Sequence, residues 1–265
     1  MLRYLALIKM RNNNQHIKNT AEEQQKAIVI KQLCKRFGNN IVLNNFNLEV
    51  YKEENLVVLG KSGSGKSVLI KCIIGLIVPD SGTIAINGKN IDGLDHEELD
   101  KLRTKIGFLF QGNAIYDSMT VRENLEFPLR RRWFKVTQDE IDALVTEALD
   151  NVGLRHTIDM LPAELSGGML KRIALARTLI LKPEIILYDE PTSGLDPVTA
   201  REIENLILEL REKYKITSVI ISHDMNCVKK VSDRVVLLLD GKCYAEGTYK
   251  QFRQSDDKNI KQFFE

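Results

Sequence analysis

The chain carries the stretch Gly60-Lys61-Ser62-Gly63-Ser64-Gly65-Lys66-Ser67. It fits the phosphate-binding loop pattern G-x-x-x-x-G-K-[ST], in which glycines let backbone N–H groups point at phosphate oxygens. Lys66 is placed to reach the β- and γ-phosphates of a nucleotide, and the Ser67 hydroxyl is placed to ligate Mg²⁺. Residues 55–59 before the loop predict a buried strand and residues 68–74 after it predict a helix. This strand–loop–helix order is the context that the motif requires.

The composition is that of a folded protein with nearly balanced charge. A length of 265 residues with 43% hydrophobic side chains suits one large α/β domain, or a core with a subdomain. The 38 basic and 36 acidic residues leave a net charge of +2, so global charge gives no case for nucleic-acid binding. The four cysteines are scattered without a C-x-x-C pair, which predicts reduced thiols in a cytosolic protein. No apolar run approaches the length of a transmembrane span, so another chain must supply one if a membrane is involved.

Two adjacent carboxylates follow an apolar run late in the chain. Residues 184–188 predict a buried strand, and Asp189 and Glu190 come at its end. Strands with an acidic end are common, so the specificity of this signal comes from its combination with the phosphate loop. In that combination Asp189 can hold Mg²⁺ through water, and Glu190 can orient an attacking water.

Three further residues end predicted strands or precede turns. Gln111 follows an apolar strand, where an amide can coordinate Mg²⁺ or a water, although a plain loop glutamine is the more frequent case. His223 ends a buried strand predicted from Thr217 and could reach a γ-phosphate, whereas a lone histidine is usually a structural or surface residue. Phe37 precedes a turn and is either a platform for a nucleobase or a core aromatic at a strand end. Its position alone does not decide between these two interpretations.

Several helices have clear start signals. Thr137 and Glu140 form a predicted capping box, and Asp196 before Pro197 is a natural N-cap. Ser166, followed by two glycines, opens another helix and forms a second potential phosphate site. Taken alone, an ordinary capped helix is the simpler interpretation of Ser166. The run Arg130-Arg131-Arg132 is interpreted as a solvated face, with contact to lipid headgroups or an acidic partner as the alternative.

These pieces, in this order, resemble the ATP-binding cassette (ABC) ATPases from Ile28 to about Gly247. The resemblance rests on GKSGSGKS, Gln111, LSGGM, ILYDE, SGLD and His223 together. It implies an α/β fold of the P-loop NTPase class: an ABC nucleotide-binding domain with a RecA-like core, an antiparallel β subdomain and a helical signature subdomain. The domain is expected at residues 28–250, with the helical subdomain at about 113–180. Residues 1–27 are expected to be a flexible extension and residues 251–265 a tail.

The resemblance also implies a role for each site residue. Catalysis would fall to Glu190 as general base, His223 at the γ-phosphate, and Lys66. Phe37 would stack on adenine, where many members have Tyr. Mg²⁺ would be held by Ser67, Gln111 and Asp189. The phosphates of ATP would lie on the loop formed by Gly60, Lys61, Ser62, Gly63, Ser64, Gly65, Lys66 and Ser67.

A second set of residues would act on a partner copy. In the family, the signature motif closes over ATP bound to another cassette, so that two ATP molecules lie between two head-to-tail protomers. This explains a phosphate-site-like helix start that has no ligand of its own. The residues that would contact the partner's nucleotide are Leu165, Ser166, Gly167, Gly168 and Asp196.

A narrower resemblance is to the ATPase of Mla/Mce-type lipid transport systems. It rests on the run from Phe108 to Leu129, on LSGGMLKR, and on the tail around residues 255–264. The chain departs from that family at Ile115-Tyr116, where Leu-Phe is usual, and in its long N-terminal extension. The resemblance implies a separate integral-membrane permease, a lipid-binding Mce-type subunit, and a peripheral position on the cytoplasmic face of the inner membrane. A groove near Gln111 to Met119 would receive a permease helix.

Two rival functions stay open from the sequence. The same ATPase could serve another cargo, either a lipoprotein or a small solute. It could instead be a regulatory ATPase that acts on a soluble or nucleic-acid partner. The nearly balanced charge counts against the second rival.

Overall fold

The computed structural model describes residues 25–130 and 136–264. Its strands are β1 (Lys26–Phe37), β2 (Asn40–Tyr51), β3 (Asn55–Leu59), β4 (Ser81–Ile86), β5 (Lys89–Asn90), β6 (Ile106–Leu109), β7 (Ile185–Asp189), β8 (Thr217–Ile221), β9 (Arg234–Leu239) and β10 (Lys242–Gly247). Its α-helices are α1 (Lys66–Ile73), α2 (His96–Arg103), α3 (Val121–Glu126), α4 (Gln138–Asn151), α5 (Gly167–Leu179), α6 (Pro197–Tyr214), α7 (Met225–Val231), α8 (Tyr249–Arg253) and α9 (Lys258–Lys261). Single 3₁₀ turns occupy Phe127–Arg130, Arg155–Thr157 and Pro162–Glu164.

The larger sheet has the order β10-β9-β3-β8-β7-β6. Strands β9, β3, β8, β7 and β6 are parallel, and β10 is an antiparallel edge strand. Every residue of β3, β7 and β8 is buried, which matches their near-continuous apolar sequences, because a parallel sheet is covered on both faces. The carboxyl ends of these parallel strands therefore lie at one edge of the sheet.

The smaller sheet is antiparallel, with the order β2-β1-β4-β5. Asn87 and Gly88 both have positive φ between β4 and β5, as the two-residue hairpin signal predicts. The Asp240-Gly241 turn between β9 and β10 has the same backbone form. Asn-Gly and Asp-Gly are the residue pairs that such two-residue turns favour.

Two hydrophobic cores lie on opposite faces of the larger sheet, because neighbouring residues of a strand point to opposite faces. On β3, Leu56 and Val58 pack with α1 and the inward face of the smaller sheet. Val57 and Leu59 of the same strand pack with the helices α3 to α7 on the other face. The α/β fold class, with an antiparallel sheet beside a parallel one, is confirmed.

Both ends of the expected domain are packed in the structure. Strand β1 begins at Lys26, two residues before the expected position 28, and Ala27 is buried. At the other end, Phe252 and Ile260 are buried in the core on the helical side. The tail is thus packed onto the domain, because α8 and α9 each contribute an apolar side chain to it. The extension over residues 1–24, and Arg131 and Arg132, lie outside the described residues.

Helices α3, α4 and α5 form the helical part of the domain, over residues 121–179. Thr137 and Glu140 form the predicted capping box of α4, and Gly153 has the positive φ expected just past its end. Within residues 25–130 and 136–264, every helix is too short or too polar to cross a lipid bilayer.

One buried amide holds the loop between β6 and α3. Asn124 Oδ1 accepts from the Tyr116 backbone N–H at 2.8 Å, and its Nδ2 donates to the carbonyls of Tyr116, Met119 and Thr120, each at 3.0 Å. The side chain of Asn124 is fully buried, so water cannot replace these bonds.

We expect Asn124→Ala to lower the free energy of unfolding by about 2–4 kcal/mol, because it removes the four hydrogen bonds that a fully buried side chain makes to the backbone of the loop. Urea unfolding of the full chain measures this. The control is Asn259→Ala, which removes one exposed hydrogen bond to Tyr244 and should cost less than about 0.5 kcal/mol. Equal midpoints for the two variants would show that the loop does not depend on Asn124.

Candidate active site

The phosphate loop joins β3 to α1. Two of its glycines are required because the fold leaves no room for a side chain at their positions. A Cβ at Gly60 would lie 2.7 Å from Ser64 Oγ and 2.8 Å from the Leu238 carbonyl oxygen. Gly65 has φ +102, and a Cβ there would lie 2.7 Å from Val42 Cγ1 on β2. Ser64 Oγ is buried without a hydrogen-bond partner in the described part of the chain. The loop is thus a tight cradle with an unpaired polar atom in its wall.

Lys66 lies across this loop. Its Nζ donates to the carbonyl oxygens of Gly60 at 2.8 Å and Lys61 at 3.0 Å. Burial lowers the pKa of the Lys66 ammonium, and the charges of Glu190 and Asp189 oppose that shift. The predicted catalytic lysine therefore sits within the field of both predicted carboxylates.

Ser67 and Asp189 meet although they are far apart in sequence. Ser67 Oγ, in the first turn of α1, donates to Asp189 Oδ1 at 3.0 Å. Asp189 is the buried last residue of β7. A hydroxyl oxygen and a carboxylate oxygen thus lie in contact at the carboxyl edge of the sheet.

Glu190 and His223 form the second contact between strand ends. His223 Nδ1 lies 2.9 Å from Glu190 Oε1, with the Glu190 side chain 12% exposed and the His223 side chain 66% exposed. Glu190 has φ +50, an uncommon conformation for a residue with a side chain, and its N–H donates to the Ile221 carbonyl at 3.1 Å. The backbone bend after β7 brings this carboxylate to His223, the second residue after β8.

Phe37 is half exposed, at 50%, at the end of β1. The alternative that it is a core aromatic is therefore wrong, because half of its surface is open to solvent. Lys35 Nζ lies 5.4 Å from the ring centroid. One face of the ring is thus next to a cation.

Gln111 is exposed, in the loop that follows β6. Its backbone carbonyl accepts a hydrogen bond from Lys171 Nζ at 3.0 Å. Sequence reasoning missed Lys171 as a site residue. The available signal was its helical spacing to the buried Ala174 and Leu175, which places a lysine on the inner face of α5.

The predicted partner-facing residues lie elsewhere on the surface. Ser166 caps α5 by accepting from the Met169 N–H at 3.3 Å, as predicted, and Ser166 and Gly167 are exposed. Asp196 is also exposed and caps α6 by accepting from the N–H groups of Val198 at 2.9 Å and Thr199 at 3.1 Å. The hydrogen bond from the Thr199 hydroxyl is the main reason that the pKa of Asp196 is lowered. Within the described residues, no hydrogen bond joins these groups to the phosphate loop.

A phosphate loop, a serine–carboxylate pair and a glutamate–histidine pair at adjacent strand ends define a P-loop ATPase. The chain belongs to the ABC transporter family, whose pattern matches residues 43–193. It is therefore the ATP-binding and ATP-hydrolysing subunit of a transporter.

Three similar proteins illustrate the relationship. The chain is 37% identical over 239 residues to the intermembrane phospholipid transport system ATP-binding protein MlaF of Haemophilus influenzae, covering 90% of each chain. It is 37% identical over 238 residues to the methionine import ATP-binding protein MetN of Clostridium tetani, covering 90% of this chain and 74% of MetN. It superposes with a TM-score of 0.76 and 34% identity on a dimeric ATP-binding cassette bound to ADP and Pi, covering 84% of this chain and 98% of that one.

We expect Gly65→Ala to lower the free energy of unfolding of the nucleotide-free chain by about 2–4 kcal/mol, because it combines a positive φ with a clash against Val42. The matched control is Gly63→Ala, which also has positive φ but would place its Cβ in open space, and which should cost about 1 kcal/mol. Thermal unfolding compares them. A Gly63→Ala variant as unstable as Gly65→Ala would contradict the steric argument.

Proposed function

We propose that this chain powers phospholipid transport between bacterial membranes, through a separate permease. The observation that carries the proposal is the likeness to MlaF across 90% of both chains. The run Phe108 to Leu129, which resembles lipid-transport ATPases, supports it further. The chain would act on the cytoplasmic face of the inner membrane. Its proposed partners are a second copy of itself, the permease and an Mce-type lipid-binding subunit, and no nucleic acid.

The phosphates of ATP would lie in the loop from Gly60 to Ser67, where Lys66 would exchange its two carbonyl bonds for phosphate oxygens. That exchange is favourable because phosphate carries full negative charge and the site is buried. The adenine would stack on the exposed face of Phe37. Loop N–H groups and the start of α1 would share the remaining phosphate charge.

Mg²⁺ would be held by Ser67, Asp189 and Gln111. The fit rests on the Ser67–Asp189 contact, since hydroxyl, carboxylate and amide oxygens are the donors that Mg²⁺ prefers. Within the described residues, no cluster of three or more His, Cys, Asp or Glu side chains forms a metal site, which suits an ion bound mainly by phosphate and water. When bound, Mg²⁺ would neutralise phosphate charge in the transition state.

Glu190 would act as the general base. Its carboxylate lies at the end of β7 and is largely buried, so a water bonded to it would be oriented toward the γ-phosphate. His223 would hold the carboxylate through its Nδ1–H and place its other ring nitrogen for the phosphate. The proton of the attacking water would pass to Glu190.

The exposed N-terminal ends of α5 and α6 would contact the nucleotide bound to a second copy of the chain. A capped helix start with two glycines presents unpaired N–H groups and a partial positive charge, which suit a γ-phosphate. The residues proposed for this contact are Leu165, Ser166, Gly167, Gly168 and Asp196. ATP would then hold the two copies together, and hydrolysis would release them.

A groove beside the helical part would receive a permease helix. Its volume is about 350 Å³. It is mainly apolar and aromatic, with two arginines and one aspartate, a surface suited to an amphipathic helix. Its lining includes Leu76, Arg103, Phe110, Tyr116, Phe127 and Arg177.

A second candidate function is import of a small polar solute. The likeness to the methionine import protein MetN favours it. The proposed site chemistry is the same for both candidates, so only the cargo differs.

We expect Glu190→Gln to bind ATP with nearly unchanged affinity but to lose about 100-fold or more in kcat, because the general base is gone. It should accumulate as an ATP-bound dimer, visible by light scattering. Normal turnover in this variant would remove Glu190 from the catalytic role.

Lys66→Ala should instead weaken ATP binding by about tenfold or more, since a buried charge-assisted contact to phosphate is lost. Titration with a fluorescent ATP analogue measures this. Lys61→Ala is the matched control, because that side chain is exposed on the same loop, and it should change the affinity less than about threefold.

The cargo proposal is tested with the Glu190→Gln chain as bait in detergent-solubilised native membranes with ATP. A permease with an Mce-type subunit and bound phospholipid is the expected result, whereas a permease with a solute-binding protein would replace the cargo. Adding Leu76→Asp to the bait should abolish capture, because Leu76 lines the groove. Adding Val78→Asp should not, because Val78 is exposed at 77% outside the groove lining.

A further inference from the structure

Lys171 is a buried cation with no role in the chemistry described so far. It is 2% exposed, in the second turn of α5. Its Nζ donates to the Gln111 carbonyl oxygen at 3.0 Å. Burial lowers the pKa of this ammonium, and the charge of Asp189 opposes the shift. A methionine or leucine would fill the same space without desolvating a charge, so packing alone does not explain a lysine here.

The loop that Lys171 contacts stores backbone strain. Asn113 has φ +61 and Ala114 has φ +55, two successive left-handed residues that are not glycine. Asn113 Oδ1 is also buried without a partner in the described part of the chain. Such a conformation persists only where its surroundings hold it. Asn124 holds the far end of the loop, and Lys171 is the contact at its near end.

We propose that Lys171 is a positioning residue that ties Gln111 to the helix beginning at Ser166, so that movement of this helix is transmitted to Gln111. The inference rests on the proposed role of Gln111 at Mg²⁺. Because Lys171 bonds the backbone carbonyl, it fixes the peptide plane and leaves the Gln111 side chain free. When Ser166 contacts a partner's nucleotide, the resulting movement of the helix would be transmitted to the chain's own nucleotide site through the hydrogen bond between Lys171 and Gln111.

The contact is first tested by hydrogen exchange in the nucleotide-free full chain. Lys171→Met should speed exchange of the amides of residues 112–114 by about tenfold or more, because the strained loop loses its near anchor. The control is Arg172→Met on the same helix, which loses contacts to the Val152 carbonyl and to Glu202 but none to the loop. Its loop amides should exchange at the parent's rate. Parent-like exchange in Lys171→Met overturns the anchor.

The functional link is tested by a double-mutant cycle on ATPase activity. Lys171→Met should lower kcat by about tenfold with the KM for ATP within about twofold, because the phosphate loop does not contact Lys171. In a Gln111→Ala background the same change should cost less than about twofold, since Lys171 would act through Gln111. Lys171→Arg, which keeps donor and charge, should stay within about threefold of the parent. Arg172→Met should instead be additive with Gln111→Ala.

The outcomes separate the inference from the function it rests on. Additivity of Lys171→Met with Gln111→Ala, or a raised KM at unchanged kcat, overturns the inference alone. If Gln111→Ala by itself leaves turnover unchanged, the proposed role of Gln111 is wrong and the inference fails with it. A merely structural lysine would lower the unfolding midpoint when replaced, whereas Lys171→Met should unfold at or above the parent's temperature. If that variant does not fold, Lys171→Gln takes its place in the same cycle.

Discussion

Parallel pairing of five strands, three of them buried along their whole length, fixes where the groups at the strand ends lie. Asp189 pairs with Ile221 across β7 and β8, and Glu190 then donates its N–H to the same Ile221 carbonyl. This register places Glu190, the first residue after β7, beside His223, the second residue after β8. A slip of one residue would exchange the side chains that pack in the two cores, so the packing that stabilises the sheet also holds the glutamate–histidine pair.

Charge balance is the second constraint on the site. Lys66 and Lys171 are both buried, and burial lowers the pKa of each ammonium. Asp189 opposes that effect at both lysines, so one carboxylate at the strand end supports two cations. Fixed dipoles and charges in such a setting need little reorganisation when phosphate charge develops, which is the electrostatic requirement of phosphoryl transfer.

A further group of features lies on the surface of the chain. The starts of α5 and α6 are exposed, although each is well capped. The aromatic groove lies beside the loop that leads from Gln111 to Tyr116. The loop therefore touches the strand end, the groove and, through Lys171, the helix that begins at Ser166. This one strained loop therefore connects the strand end, the groove and the helix, the three features on which the proposed transport cycle depends.

The sequence by itself determined the features set by near neighbours. The caps at Thr137, Ser166 and Asp196 and the hairpin turns follow from hydrogen bonds and φ preferences within a few residues. The strand ends carrying Asp189, Glu190 and His223 were also predictable, because fully buried parallel strands are continuous apolar runs. Only the tertiary structure decided the exposure of Phe37, the packing of the tail and the burial of Lys171. These depend on residues from distant parts of the chain, whose approach no local pattern encodes.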